Sequence, residues 1–471
     1  MNILFASSEA YPFFTSGKLG DMIGSLARAF IRQNVDIRVI LPLYKDMKAE
    51  WRNGLKYVTN YIVPVSWRNQ YCGLHELKYN GVCYYFLDNE YYFKRPGFYG
   101  YHDDGERFAF FSRAILETLN YIDYSPQIIH CNDWQTALVP VYHKLFYRQM
   151  EKFAHIKTVF TIHSVQYQGQ YGPEMADGVL GIGQDNFHLV EYDGVVNYMK
   201  GAIEASDMVS TVSPSYAREI MEPWYGCGMD RFLLQRSTKL RGILSGIDTE
   251  EYNPATDMII ASQYNADNFK SGKAKCKGQL QRLFELDEKD LPLIGMVTRF
   301  VGHKGPDLLI RAAGEIIDSG MQFAILGYGD REYEQFFREL AARRKGQCSV
   351  RFGFLPDVAR NIYAGSDMFL MPSRFEPCGL AQMLAMRYGS IPIVRETGGL
   401  KDTISEGENG FVFSSYSAAE MRDACLRARS LWHDRDEWSC LVRRAMECNL
   451  GWAAPAKKYM AMYRETLLKT E

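Results

Sequence analysis

The chain has 471 residues, with 54 Lys and Arg against 56 Asp and Glu, so its formal net charge is −2. Hydrophobic residues make up 47% and charged residues 23% of the chain, which are ordinary values for globular proteins. The length predicts two or three domains rather than a single core. The near-zero charge disfavours a general nucleic-acid binder, which needs a basic face to neutralise phosphates.

Membrane and secreted classes are also disfavoured. No apolar run approaches the ~20 residues of a membrane-spanning helix, and no basic residue precedes Lys18 as it would in a secretory signal. The ten cysteines are scattered, without a Cys-x-x-Cys pair, which predicts small buried hydrophobes in a reducing compartment. We therefore expect a cytoplasmic protein without a membrane or nucleic-acid partner.

The first half of the chain alternates strands and helices. Asn2–Ser7 is a short apolar run that predicts a buried strand, and a helical pattern begins near Asp21, after a glycine-containing loop. Further strands are predicted at Val35–Leu41, Gln127–His130, Thr158–Ile162 and Met208–Val212. This β-loop-α-β start is typical of a parallel, doubly wound sheet.

The pattern restarts near residue 292, after a polar stretch at Asp248–Lys273. Strands are predicted at Pro292–Thr298, Gln322–Leu326, Val350–Phe352, Met368–Met371 and Ile391–Val394, and helices at Gly305–Asp318 and Ala359–Ala364. The fold prediction is therefore α/β, with two doubly wound Rossmann-like domains at residues 1–250 and 251–452 and a final segment at 453–471. Because ligands bind at the carboxyl edges of such sheets, we expect a cleft between the two edges and site residues directly after strands.

One candidate site follows the predicted strand at Met368–Met371. Pro377 suits the first turn of a helix that we predict to continue through Leu384. Glu376 would lie at the mouth of this turn, although an acid near a helix N-terminus is also a common structural feature. An anion could be held by the free amides near three residues, Cys378, Gly379 and Leu380.

Two further candidates also follow predicted strands. Arg299 and Lys304 could neutralise a diphosphate, because arginine offers a planar fork and lysine a point charge; two solvated loop charges are the structural alternative. Thr397–Leu400 contains two glycines, which allow a ligand to approach the backbone closely.

The loop after the first strand, Thr15–Asp21, does not match the common phosphate motifs. It lacks the Gly-x-Gly-x-x-Gly fingerprint of a nicotinamide dehydrogenase, and Gly17-Lys18 is followed by leucine rather than the Ser or Thr of a Walker loop. A tight turn is the structural alternative. His130 and His163 also lie at predicted strand ends, where a single histidine is more often a structural residue than a catalyst.

Taken together, these segments resemble bacterial glycogen synthases and plant starch synthases, which have the GT-B glycosyltransferase fold. The resemblance runs from Ile3 to about the last helix and includes Phe5–Glu9, Tyr99–Ala109, Thr211–Pro214, Pro372–Leu380 and Arg395–Leu400. It implies transfer of glucose from a nucleotide sugar, usually ADP-glucose in bacteria, to the non-reducing 4-OH of an α-1,4-glucan. It further implies retention of the anomeric configuration, no metal or other cofactor, and a helix at Trp452–Leu468 that crosses back to the N-terminal domain.

The resemblance also assigns roles to individual residues. Arg299 and Lys304 would hold the diphosphate and stabilise charge as it leaves, and Glu376 would lie by the donor glucose. Phe354 falls where the family often stacks an aromatic ring on the nucleobase, and Asp103 matches an acidic position near the donor sugar. The donor-binding positions implied in this way are Thr15, Gly17, Lys18, Asp103, Gln135, Ser245, Phe354, Cys378, Gly379, Leu380 and Thr397.

Several positions depart from the family pattern. The glycine loop, usually Lys-Thr-Gly-Gly-Leu or Lys-Ser-Gly-Gly-Leu, reads Thr15-Ser16-Gly17-Lys18-Leu19 here, so Thr15 replaces a donor-contacting lysine and Lys18 replaces a glycine. Gln135 stands where a histidine usually addresses the donor sugar; it can donate a hydrogen bond but cannot carry a positive charge. Two serines replace asparagines and an alanine replaces a threonine, at Ser164, Ser245 and Ala381.

Five of these six departures lie in the N-terminal half, whereas Arg299, Lys304 and Glu376 are all present. Three hypotheses follow: an active synthase in which Lys18 compensates for Thr15, a transferase with a changed donor sugar or acceptor, and a non-catalytic paralogue that binds nucleotide or glucan. The charge-stabilising residues favour the first two. The choice between ADP and UDP donors stays open.

Overall fold

The computed structural model describes residues 1–469. Its strands are β1 Asn2–Ala6, β2 Asp36–Pro42, β3 Lys56–Val65, β4 Arg68–Tyr79, β5 Val82–Asp88, β6 Ile128–Asn132, β7 Lys157–Ile162, β8 Gln170–Tyr171, β9 Glu191–Tyr192, β10 Val195–Asn197, β11 Met208–Thr211, β12 Leu240–Gly242, β13 Leu293–Phe300, β14 Gln322–Gly329, β15 Cys348–Phe352, β16 Met368–Met371, β17 Ile391–Arg395 and β18 Phe411–Phe413.

The helices are α1 Lys18–Ile31, α2 Ala49–Arg52, α3 Glu90–Phe93, α4 Asp104–Thr118, α5 Leu138–Tyr142, α6 Glu151–Ala154, α7 Met175–Gly178, α8 Tyr198–Ala205, α9 Pro214–Glu219, α10 Asp230–Gln235, α11 Phe269–Leu283, α12 Pro306–Asp318, α13 Arg331–Arg343, α14 Pro356–Gly365, α15 Ala381–Arg387, α16 Gly398–Thr403, α17 Ala418–His433, α18 Arg435–Glu447 and α19 Ala453–Leu468. Within residues 1–469, no helix is both long and apolar enough to cross a membrane.

The chain divides into two compact units. Unit 1 comprises Met1–Val212, Ala217–Ser245 and the chain from Trp452 onward, and unit 2 comprises Ser213–Tyr216 and Gly246–Gly451. The chain therefore passes from unit 1 to unit 2 after Ser245, and its last helix, α19, belongs to unit 1.

Unit 1 is built on a nine-stranded sheet in the order β12-β11-β7-β6-β1-β2-β5-β4-β3. All pairs from β12 to β5 are parallel, as the sequence predicts, whereas β5-β4 and β4-β3 are antiparallel. The antiparallel hairpin β3–β4 is an extension that the sequence analysis did not predict. The loops that follow β1, β6 and β7 come together at one sheet edge because these three strands are parallel neighbours.

The core of unit 1 follows from the apolar pattern of its first elements. Ile3, Leu4 and Phe5 of β1 are completely buried, as are Leu26 and Phe30 on the inner face of α1. Helix α1 begins at Lys18 rather than near Asp21, because the extended backbone of Gly17 directly precedes it. Lys18 is thus both the last residue of the exposed turn Thr15–Lys18 and the first residue of α1.

Unit 2 contains a six-stranded parallel sheet in the order β15-β14-β13-β16-β17-β18. All five predicted strands are present, and the main difference lies at their ends. Strand β13 extends to Phe300, because Arg299 and Phe300 pair with Tyr328 and Gly329 of β14. Arg299, which the sequence places after the strand, is therefore its penultimate residue.

The cysteines are all unpaired, and six of the ten are buried. Cys227 and Cys440 are exposed, which departs from the expectation that the cysteines are buried hydrophobes. Burial raises the pKa of the Cys72 and Cys348 thiols to about 12, so these two groups stay neutral.

Candidate active site

The strongest feature of unit 2 is a buried ion pair between Lys304 and Glu376. The lysine Nζ lies 2.5 Å from Glu376 Oε2, and Ser373 Oγ donates to the same oxygen over 3.2 Å. The Glu376 side chain is 0% exposed and that of Lys304 is 13% exposed. Removal of either partner would leave a buried charge without its opposite charge, which is costly, so the pair holds both side chains in place.

The close approach of two loops creates this pair. Gly305 has a φ of +80°, and a Cβ atom there would lie 2.1 Å from the carbonyl oxygen of Pro372. In addition, the Arg374 amide donates to the His303 carbonyl over 2.8 Å. A glycine is therefore required at position 305, both for its left-handed backbone and for the contact with the loop that carries Glu376.

The other predicted cation, Arg299, has a different environment. It lies near the carboxyl end of β13, and its side chain is exposed. The strand and the short helical turn Gly302–Lys304 follow each other directly, so Arg299 and Lys304 both belong to the carboxyl edge of the unit 2 sheet. Lys304 is held by a buried partner, whereas the guanidinium of Arg299 is accessible to a ligand.

The prediction that a helix starts at Pro377 is wrong. Helix α15 begins at Ala381, and residues 376–380 are irregular. The reason is Gly379, whose φ of +72° is left-handed and interrupts a helix. Gln382 of α15 stabilises this turn because its Nε2 donates to the Cys378 and Gly379 carbonyls over 3.2 and 2.8 Å. The amides of Cys378, Gly379 and Leu380 therefore precede the helix instead of forming its first turn.

Thr397 and its neighbours pack against the same loop. Thr397 is buried and directly precedes α16. The Gly399 amide donates to the Glu376 carbonyl over 3.0 Å, and a Cβ atom on Gly399 would lie only 2.0 Å from the Cys378 carbonyl oxygen. Gly399 thus allows close backbone packing against Cys378 of the protein itself. The predicted approach of a ligand to these glycines remains a prediction.

Phe354 follows a different strand of the unit 2 sheet from those that precede these loops. It follows β15, the edge strand beyond β14, and its side chain is 68% exposed. A ring this accessible is available for stacking on a planar group. Its predicted role at the nucleobase remains a prediction.

In unit 1, polar residues cluster at the ends of β6 and β7. The amide of His163 donates to Asp133 Oδ1 over 2.8 Å, and the His163 ring lies 3.0 Å from Asn132 Oδ1. Burial raises the pKa of Asp133 to about 7, against the opposing effect of amides from His163 and Ser164. Asp133 also has a positive φ of 56°, so this turn carries backbone strain and an acid that titrates near neutral pH, both common at functional sites.

The two histidines predicted at strand ends, His130 and His163, have different environments. His130 is completely buried, with Nδ1 2.7 Å from the Tyr463 hydroxyl and Nε2 2.5 Å from Thr161 Oγ1. Burial lowers its pKa to about 3, so it is a neutral core residue that connects β6, β7 and α19. The structural interpretation is therefore confirmed for His130, whereas His163 lies at the sheet edge beside Asp133.

The five N-terminal departures from the family pattern lie in unit 1, after strands of its sheet, whereas Ala381 begins α15 of unit 2. Thr15, Gly17 and Lys18 are exposed, and Thr15 Oγ1 donates to the Gly17 carbonyl over 3.1 Å. Gln135 is only 7% exposed, and its Oε1 is buried without a hydrogen-bond partner among the described residues. Ser245 is likewise buried, and it is the last unit 1 residue before the chain enters unit 2.

Asp103 is held by a second ion pair. Its two carboxylate oxygens accept from Arg95 Nη1 and Nη2 over 2.6 and 2.8 Å. Although desolvation opposes ionisation, the bonds from Arg95 lower the pKa of Asp103 below its usual range. Asp103 is thus an ionised residue with both oxygens engaged, and its predicted contact with a donor sugar remains a prediction.

Sequence analysis missed the residue that connects these loops. Glu9, three residues after β1, is 3% exposed and accepts hydrogen bonds from Ser16 and Tyr99. Its sequence signals were its place after a buried strand and the match of Phe5–Glu9 to the family pattern, neither of which assigned it a role. Within residues 1–469, no group of three His, Cys, Asp or Glu side chains is arranged to hold a metal ion.

The comparisons with known proteins first identify the class. Residues 2–235 match the family described as Starch synthase catalytic domain, and residues 281–440 match Glycosyl transferases group 1. The fold is shared with sucrose-phosphate synthase from Thermosynechococcus elongatus, with a TM-score of 0.63, 16% identity and 98% of both chains covered. The chain is thus a glycosyltransferase with the GT-B fold, which confirms the predicted fold class.

Full-length relatives then identify the family. Glycogen synthases from Alkaliphilus metalliredigens (strain QYMF) and Clostridium novyi (strain NT) are 44% and 45% identical over 472 and 481 residues, covering 98% and 100% of this chain and 99% and 100% of theirs. The catalytic domain of starch synthase IV from Arabidopsis thaliana, solved with ADP and acarbose, has a TM-score of 0.91 at 32% identity, with 99% of both chains covered. The chain belongs to the glycogen synthase family, and the predicted resemblance is confirmed.

Proposed function

We propose that this chain transfers glucose from ADP-glucose to the non-reducing 4-OH of an α-1,4-glucan, with retention of the anomeric configuration. Membership of the glycogen synthase family supports the glucosyl transfer. The ADP and acarbose in the starch synthase IV structure support a nucleotide-sugar donor and a glucan acceptor. The observation that carries the proposal is the buried Lys304–Glu376 pair, at the same sheet edge as the exposed Arg299.

The chemistry explains why these cations matter. The bond between glucose C1 and the diphosphate oxygen breaks, a bond between C1 and the glucan O4 forms, and the O4 proton leaves with ADP. Negative charge therefore grows on the departing diphosphate, and cations placed there stabilise the transition state more than the ground state. Arg299 offers a fork to the phosphates, and Lys304 offers a point charge that Glu376 holds in place.

We also propose that the reaction needs no metal or organic cofactor, because Arg299 and Lys304 supply the positive charge at the diphosphate. Treatment with EDTA should leave the initial rate unchanged. A loss of rate that Mg²⁺ restores would contradict this proposal. The cytoplasmic location expected from the sequence stays a prediction.

The unit 1 departures bear on the choice between the functional hypotheses. Thr15 cannot supply the charge of the usual lysine, but the Lys18 ammonium lies three residues further along the same exposed turn. Lys18 therefore favours an active synthase over a non-catalytic paralogue. Gln135 favours a changed contact with the donor sugar, because its buried amide oxygen needs a hydrogen-bond donor.

Glucan elongation measured with ADP-glucose and with UDP-glucose tests the proposal. The wild type should elongate glucan with ADP-glucose, and the triple variant Thr15→Lys/Lys18→Gly/Gln135→His, which restores the family pattern, should also do so. Activity only in the triple variant, with nucleotide binding in both proteins, would support the hypothesis of a non-catalytic paralogue. A clear preference for UDP-glucose would overturn the choice of ADP.

A further inference from the structure

Glu9 is a carboxylate that the proposed reaction does not use. It lies three residues after β1 at the carboxyl edge of the unit 1 sheet and is 3% exposed. Its own backbone is fixed by Ser7, whose Oγ donates to the Glu9 carbonyl over 2.7 Å and accepts from the Glu9 amide over 3.2 Å. Burial of a carboxylate is costly unless hydrogen bonds compensate, so its partners reveal what it holds.

Those partners come from two different segments of the chain. Glu9 Oε2 accepts from the Ser16 amide over 2.5 Å, and Oε1 accepts from Ser16 Oγ over 2.7 Å. Oε1 also accepts from the Tyr99 hydroxyl over 2.5 Å, and this hydroxyl lies 2.8 Å from Ser8 Oγ. Burial and the Glu9 carboxylate hold the pKa of Tyr99 well above its usual range, so the phenol keeps its proton and donates it.

Both segments carry predicted donor-binding residues. Ser16 is the second residue of the exposed turn Thr15–Lys18, and Glu9 holds this turn by its backbone and by a side chain. Tyr99 lies between two glycines of positive φ, Gly97 and Gly100, in the segment that leads to Asp103. A single buried carboxylate thus connects the turn that carries Lys18 with the segment that carries Asp103.

We propose that Glu9 is a positioning residue that fixes the Thr15–Lys18 turn and the Tyr99 segment for the nucleotide-sugar donor, without touching the donor itself. This inference rests on the proposed function, because it assigns both segments to the donor. Hydrogen bonds to an ionised acceptor are stronger than neutral ones, and here three of them converge on one group. Residues 15–18 are exposed, and the hydrogen bonds from Ser16 to the buried Glu9 attach this turn to the sheet edge.

The experiment combines hydrogen exchange with steady-state kinetics on Glu9→Ala and Glu9→Gln. In Glu9→Ala the amides of residues 15–18 should exchange about 10- to 100-fold faster, as expected for loss of hydrogen bonds to a charged group. The donor kcat/KM should fall by about 100-fold, as expected for a misplaced binding group, whereas the glucan KM should not change. Glu9→Gln should recover most of both effects, because an amide can accept from the Ser16 amide and donate to the two hydroxyls.

Two further variants isolate the attachment. Ser16→Ala should lower donor kcat/KM in the wild type but have no added effect in Glu9→Ala, because the two residues act through one contact. Asp104→Ala is the matched control: Asp104 is another buried carboxylate of unit 1, which accepts from the amides of Gly100 and Tyr101. Its loss should speed exchange in residues 97–103 but not in residues 15–18.

The outcomes distinguish failure of the positioning role of Glu9 from failure of the proposed function. Unchanged exchange at residues 15–18 in Glu9→Ala, or fully additive effects of Glu9→Ala and Ser16→Ala, would overturn the positioning role. Faster exchange at residues 15–18 with an unchanged donor kcat/KM would also overturn it. Wild-type protein without any transferase activity, but with the expected exchange pattern, would contradict the proposed function and leave the attachment of the turn established.

Discussion

Alanine substitution of the two predicted cations, Lys304 and Arg299, should change stability very differently but reduce activity alike. Replacing Lys304 by alanine leaves the fully buried Glu376 carboxylate without its partner, whereas Arg299 is exposed and its replacement leaves no buried charge. Breaking a buried pair costs about 3–5 kcal/mol, and a surface substitution changes stability by roughly 0.5 kcal/mol at most. Both variants should lose glucosyl transfer by about 10²–10³-fold, the usual cost of removing one transition-state contact.

The stability difference should be visible in thermal unfolding. For a unit of about 150–250 residues, each kcal/mol shifts Tm by about 2–4 °C, so Lys304→Ala should lower the Tm of unit 2 by roughly 6–20 °C. Arg299→Ala should stay within about 2 °C of the wild type. The double variant Lys304→Met/Glu376→Gln should recover stability without recovering activity, because no buried charge remains.

Differential scanning calorimetry and glucan elongation on the same preparations provide the two measurements. The reasoning would be refuted by a Lys304→Ala variant that melts with the wild type. It would also be refuted if Arg299→Ala lost as much stability as Lys304→Ala. A double variant less stable than Lys304→Ala would show that lost side-chain contacts, not an uncompensated buried charge, determine the loss.

Three further predictions follow from single positions. Lys18→Ala should raise the donor KM about tenfold, and Thr15→Lys in that background should restore it, because either lysine places an ammonium on the exposed turn. The pKa of Asp133 is raised to about 7, so between pH 5 and 7 the folded state keeps a proton on Asp133 that the unfolded state has lost. The free energy of unfolding should therefore fall as the pH rises from 5 to 8. In urea titrations across this window, the free energy of unfolding of Asp133→Asn should fall by roughly 3 kcal/mol less than that of the wild type. Gly305→Ala should destabilise unit 2 by about 2–4 kcal/mol and reduce activity, because its Cβ would collide with the Pro372 carbonyl.

Each of these has a contradicting result. An unchanged donor KM in Lys18→Ala would remove the compensation hypothesis. Parallel pH profiles for wild type and Asp133→Asn would show that Asp133 has an ordinary pKa. For the glycine, Gly320→Ala is a suitable control, since its φ of +92° is equally left-handed but no atom lies within 4 Å of its Cβ position; equal losses in the two variants would assign the effect to backbone strain alone.

The parallel sheets were predictable from sequence because their strands are continuous apolar runs. β16, Met368–Met371, matches its predicted bounds, and β1, β7 and β17 differ by a single residue at one end. The hairpin β3–β4 was missed because its two strands mix exposed and buried residues, with Tyr57 and Ile62 more than half exposed. Such strands lack the continuous apolar signal.

The candidate site was only partly predictable. The glycines and the charged residues after strands pointed to Lys304 and Glu376, which the structure brings together. The helix start at Pro377 was predicted wrongly because proline and the following residues suit a first turn, whereas the left-handed Gly379 depends on packing against Gln382. Glu9 was missed because its function depends on contacts with residues 7 and 90 positions away in the chain. The predicted cleft between the two domains stays a prediction.

The most direct test of the central claim is incorporation of radiolabelled glucose from ADP-glucose into glycogen. The wild type should add label that an enzyme specific for α-1,4 linkages releases, and Arg299→Ala should reduce the rate by about 10²–10³-fold. Absence of label in the glucan, or an Arg299→Ala rate equal to that of the wild type, would contradict the account.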